Sequence, residues 1–169
     1  MAEDGGTLLL DARPAYSLWQ QRCQHGELFT VQAEGGHLTD EVLADGFGRL
    51  LTAMPAAAEF VTLYDLTAGL TGFVSCGPAL LRSAMEMRAA CAGKQRAVII
   101  VSPLEDIRAW AHCLLDMIPR DGIEAYVVCT LERAWDILDQ PTLPSAAAEA
   151  SGGGPREPSE ERVSPKVCR

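Results

Sequence analysis

The chain has 169 residues, 48% of them apolar and 22% charged, with a formal net charge of −9. This is enough apolar material for one domain with a real core. The acidic balance excludes sequence-independent binding to nucleic acid and docking on anionic membranes, both of which need clustered Lys and Arg, and no apolar stretch reaches the ~20 residues of a membrane span.

Residues 7–10 (TLLL) read as a short edge strand. Residues 11–26 have no settled period, and Tyr16, Leu18 and Trp19 fit either a short helix or an irregular loop. Residues 28–33 (LFTVQA) alternate as a strand, with Leu28, Thr30 and Gln32 on one face and Phe29, Val31 and Ala33 on the other. After the break at Gly35-Gly36, Thr39 is the expected N-cap of a first helix. Its apolar face is Val42, Leu43, Phe47, Leu50, Leu51 and Met54, and Pro55 ends it.

The most informative stretch follows. Phe60, Val61, Leu63, Tyr64 and Leu66 form a buried strand interrupted by Asp65, which leads through a Thr/Gly loop to Ser75-Cys76-Gly77-Pro78. Such a unit presents polar groups at the carboxyl edge of an α/β sheet, here with Ser75 as the expected cap of a second helix over 78–91. That helix is expected to bury Leu81, Ala84, Met85 and the stem of Arg88, and Gly93 stops it. Residues 97–101 (AVIIV) read as a central strand covered on both faces.

Ser102-Pro103-Leu104-Glu105 has the spacing of a capping box, predicting a third helix that starts at Pro103. Leu104, Ile107, Ala111, Leu114, Leu115 and Ile118 are its inward positions. A turn at Pro119-Arg120-Asp121-Gly122 precedes a last strand over 123–129, and Thr130 caps a final helix carrying Leu131, Ala134, Trp135 and Leu138. From residue 140 the chain turns to Pro, Gly, Ser and Glu with little to bury, which predicts disorder. The organisation is an N-terminal arm (1–26), an α/β domain (27–139) and a disordered tail (140–169).

Six cysteines include no C-x-x-C pair, which removes zinc-ribbon and thioredoxin-type readings. Cys91, Cys113 and Cys129 are expected to be buried as small hydrophobes. Reduced thiols, and an acidic start (MAEDGG) unlike an Arg-rich presequence, predict a cytoplasmic protein. His25, His37 and His112 have no partner pattern for catalysis, and no G-x-S-x-G, H-E-x-x-H or P-loop string occurs. The expectation is a protein that is not an enzyme and has neither metal nor cofactor. Asp65 is the best candidate for a functional carboxylate, its alternative being an acceptor for the following loop. Arg108 and Trp110 are either an exposed partner patch or, for Trp110, packing beneath the arm around Tyr16 and Trp19.

Several strings resemble the STAS domain of anti-sigma-factor antagonists and its SpoIIAA-like relatives. Leu63-Tyr64-Asp65-Leu66 followed by Val74-Ser75-Cys76-Gly77 is similar to the family's strand and D-S-S-G helix start, with Val74 and Cys76 as departures. Gly36-His37-Leu38-Thr39-Asp40-Glu41 and Thr130-Leu131-Glu132-Arg133-Ala134-Trp135 resemble two further family turns, and the likeness covers residues 27–139. It implies a small α/β sandwich, a mixed sheet with four main helices, that acts as a regulatory protein-binding module. It further implies a partner surface at Asp65, Thr67, Thr71, Ser75, Cys76 and Gly77, with Ser75 as the phosphorylated position. The alternative is a carrier of a lipid or other apolar small molecule, which requires a cavity of about 300 Å³ or more beneath the helices.

Overall fold

A computed structural model describes residues 6–13, 16–35, 39–53, 59–68, 77–119 and 122–143. The elements run β1 (Thr7–Ala12), β2 (Tyr16–Cys23), β3 (Gly26–Ala33), α1 (Asp40–Ala53), β4 (Phe60–Asp65), α2 (Pro78–Ala90), β5 (Gln95–Val101), α3 (Glu105–Met117), β6 (Glu124–Val128) and α4 (Leu131–Leu138). All six strands form one mixed sheet in chain order. β1, β2 and β3 pair antiparallel, whereas β3 to β6 pair parallel. The chain is therefore an α/β protein.

Successive parallel strands step across the sheet in one direction, so right-handed crossovers put their helices on one face. Phe47 and Leu50 of α1, Leu80, Ala84 and Met87 of α2, and Ile107 and Ala111 of α3 accordingly share one core cluster with Leu18, Phe29 and Tyr64. α4 covers the opposite face, where Ala134, Ile137 and Leu138 meet Leu28, Val61, Leu63, Ala97, Ile99, Val101 and Tyr126. β4 is buried at every position, as a strand between two covered faces should be.

The alternation expected for β3 holds: Phe29 and Ala33 lie in the helix-side cluster and Leu28 in the other. Thr39 Oγ1 accepts the Val42 amide at 3.3 Å and Thr130 Oγ1 the Arg133 amide at 3.2 Å, so both expected caps form. Gly93, at φ 74°, follows the end of α2.

Five expectations change. Residues 16–23 are neither helix nor loop but a full strand, paired on both sides along its length. α2 buries Leu80, Ala84, Met87 and Arg88, while Met85 is 47% exposed and Leu81 only partly covered. Apolar residues surround this helix, so the choice falls to packing, and Arg88 Nε anchors it by donating to the Pro119 carbonyl at 2.8 Å.

α3 starts at Glu105, with Leu104 exposed and no side-chain cap. Ser102 is still in the sheet, where its amide donates to Val128 O at 3.0 Å. Its buried hydroxyl accepts the Leu104 amide at 3.2 Å in a short turn rather than closing a capping box. Of the three thiols expected inside, only Cys91 is buried; Cys113 lies on the outer arc of α3 beside exposed His112, and Cys129 just beyond the last paired residue of β6. Burial pushes the Cys91 thiol above its ordinary pKa.

Residues 140–143, assigned to the tail by composition, pack on the body. Gln24 Nε2 donates to the carbonyls of Leu138 and Gln140, each at 2.6 Å, and Leu143 packs on the α4-side cluster. Removing residues 144–169 should therefore leave the melting temperature within ~2 °C. Removing 140–169 should lower stability by ~1–2 kcal/mol, or about 5 °C, in a calorimetric comparison.

Candidate functional site

β3 to β6 all end at one edge of the sheet, and each leads into a helix there. This carboxyl edge is where open parallel sheets place their ligands. Asp65 ends β4 near its centre, 5% exposed, with Gln32 of β3 and Val101 of β5 as its register partners. Its Oδ1 accepts both the Thr67 amide, at 3.0 Å, and the Thr67 hydroxyl, at 2.6 Å. The Leu66 amide donates to Val101 O at 2.9 Å, so the chain leaves the sheet only at Thr67. A buried carboxylate thus fixes the first residue of the loop, the arrangement expected of Asp65 as a loop acceptor.

The far end of that loop is fixed as well. The N-cap of α2 is Gly77, in extended backbone at φ −64° and ψ 156°, with Pro78 in the first turn. Its carbonyl accepts the Leu81 amide at 3.0 Å. The cap expected at Ser75 therefore falls two residues later. Thr71, Ser75 and Cys76 lie outside the described residues, as do Val74 and His37.

Next to Asp65, on the same side of the sheet as α4, the register aligns Asp11, Ser17, Gln32 and Asp65 across four strands. Ser17 is 2% exposed; its Oγ accepts the Trp19 indole N–H at 3.0 Å and donates to Glu34 Oε1 at 2.7 Å. Arg13 binds Asp11 through its guanidinium, holding that carboxyl at a pKa of about 2. Of these, Ser17 is hidden in the sequence because the strand β2 that carries it is not recognisable there. The period-2 run Tyr16, Leu18, Gln20 against Ser17, Trp19, Gln21 is the signal that places it.

On the other flank, Arg108 Nη1 donates to the carbonyls of Ser102 at 2.9 Å and Pro103 at 2.8 Å, pinning the β5–α3 turn. Trp110 packs against the helix-side cluster, whereas Trp19 lies on the opposite face. Two residues apart on a helix point ~200° apart, so Arg108 and Trp110 do not form one patch. Beneath the helices, the cavity between α2 and α3 measures about 60 Å³, and that beneath α1 about 20 Å³. Burial raises the Tyr64 phenol pKa, and its hydroxyl meets Met87 Sδ at 3.7 Å beside these spaces.

Among the described residues, no group of three His, Cys, Asp or Glu side chains is placed to hold a metal ion, and no helix is long and apolar enough to cross a membrane. Comparison with protein-family models, curated proteins and solved structures gives no match.

Proposed function

We propose that this protein is a cytoplasmic, non-enzymatic regulatory module of the STAS type, which binds a protein partner through the carboxyl edge of its sheet. The observation that carries this reading is the anchoring of one loop at both ends. Asp65 holds Thr67 where β4 ends, and Gly77-Pro78 begins α2, so the two ends that flank the proposed partner segment are fixed. Rigid anchors lower the ordering cost of a binding loop.

The sequence likeness assigns Ser75 to this loop as the switch, and phosphorylation there would add two charges to the partner surface. Asp65 serves the loop rather than a reaction, since its Oδ1 is taken up by Thr67. The lipid-carrier alternative is disfavoured by cavities of about 60 and 20 Å³, well below the roughly 300 Å³ such a ligand needs.

Affinity purification with the wild-type chain identifies the partner, and the same pull-down with two variants tests the site. Ser75→Glu should fold normally and lose the partner. Ser75→Ala should retain it with unchanged stability, because Gly77 and not Ser75 caps α2. Equal retention by both variants would move the interface away from this loop.

A further inference from the structure

The opposite, amino edge of the sheet holds a groove of about 940 Å³, larger than the two cavities beneath the helices described above. Its charged lining is Arg22 and Glu27 from the β2–β3 hairpin, Glu59 before β4, Arg96 on β5 and Glu124 on β6. His25, at the hairpin tip, joins them, and its Nε2 is enclosed without a hydrogen-bond partner among the described residues. One wall is the chain after α4: Gln24 clasps the carbonyls of Leu138 and Gln140, which sets Thr142 and Leu143 along the groove. Three separate parts of the chain thus build one concave site.

Its charges alternate in sign. Arg96 Nη2 meets Glu59 Oε2 at 2.5 Å, and Arg22 Nε lies 3.5 Å from Glu27 Oε1. Both arginines and Glu59 are half-exposed or more, and exposed pairs of this kind hold little energy. A ligand carrying one ammonium and one carboxylate can therefore exchange with such a pair, giving its carboxylate to the guanidinium and its ammonium to the glutamate. A ligand of a single charge satisfies one half and strands the other. From β3 to β6 the groove crosses three strand spacings, about 14 Å, which admits an extended tripeptide of about 10 Å.

We propose that this groove binds short zwitterionic peptides, at a site separate from the carboxyl-edge surface. Arg96 receives the peptide carboxylate and the glutamates receive the ammonium. The test is an amide-resolved NMR titration of the full chain with triglycine at low salt, with acetate and ethylamine as single-charge probes. Triglycine should give a saturable response at residues 24–27, Arg96 and residues 122–124, at least tenfold tighter than either control. Arg96→Gln, a change at a half-exposed side chain, should weaken triglycine at least fivefold without unfolding the protein. A response no stronger than that of the controls, one centred on Asp65 and Thr67, or one indifferent to Arg96→Gln would overturn the assignment. These readouts use the opposite edge from Ser75→Glu, so either site can fail while the other stands.

Discussion

Gly26→Ala should destabilise the protein by about 3 kcal/mol or more, although it adds a single methyl group. Gly26 begins β3 at φ 108°, a conformation that L side chains rarely adopt. A Cβ built there would sit 2.4 Å from the backbone carbonyl oxygen of Glu59. That carbonyl cannot swing away freely, because it accepts the Glu27 amide at 3.2 Å and so joins the hairpin to the start of β4. The variant must distort the turn, part β3 from β4, or both. Urea denaturation should show a lower midpoint with an unchanged slope. Gly48→Ala provides a control of opposite sign, since the site lies in α1 with no atom within 4 Å of the new Cβ. There the same chemical change should stabilise by ~1 kcal/mol, through helix propensity alone.

The parts of this fold that were legible in the sequence are those where a single local rule has no competitor. Phe60, Val61, Leu63 and Tyr64 have nowhere to go but a doubly covered strand, and Thr39 and Thr130 have the side chain and the position to cap. β2 is obscured because polar Gln20, Gln21 and Arg22 occupy both of its faces, while the large Trp19 lies on the face that carries Ser17. There it is held by its bond to Ser17. Only pairing with strands on both sides makes those residues a strand, and pairing is not a local property.

The same limit explains α2. Ala79, Leu80, Leu81, Ala84, Met85 and Met87 supply apolar surface on every side, and contact with α1 and the sheet selects the arc through Leu80 and Met87. Ser102 had the spacing of a cap, but its amide bond to Val128 O extends the sheet by one residue and delays the helix. Ladder pairing won over capping. The candidate site was legible at Asp65, whose position after an apolar run marks the carboxyl edge. Its neighbours Ser17, Gln32 and Glu34 depend on register across three strands, and register becomes visible only once the sheet is assembled.

Phe29→Ala tests the core that carries both edges. Phe29 is fully buried on the helix side of β3, the strand that joins the antiparallel half of the sheet to the parallel half. Its ring packs edge-on against Phe60 of β4, with centroids 5.6 Å apart and planes at 85°. Truncation removes a large apolar side chain and leaves a cavity between β3, β4 and α1 that rigid neighbours cannot fill, at a cost of about 3–5 kcal/mol. A domain of this size has about 5–15 kcal/mol to lose, so the melting temperature should fall by more than ~10 °C. Phe29→Leu separates the two contributions. It keeps most of the buried volume and loses the ring contact, worth about 0.5–1.5 kcal/mol, so it should cost less than half as much as alanine. If leucine proves as damaging as alanine, the edge-on pairing with Phe60 rather than apolar burial dominates at this position. If alanine costs under ~1 kcal/mol, Phe29 does not occupy the packed interior between sheet and helices.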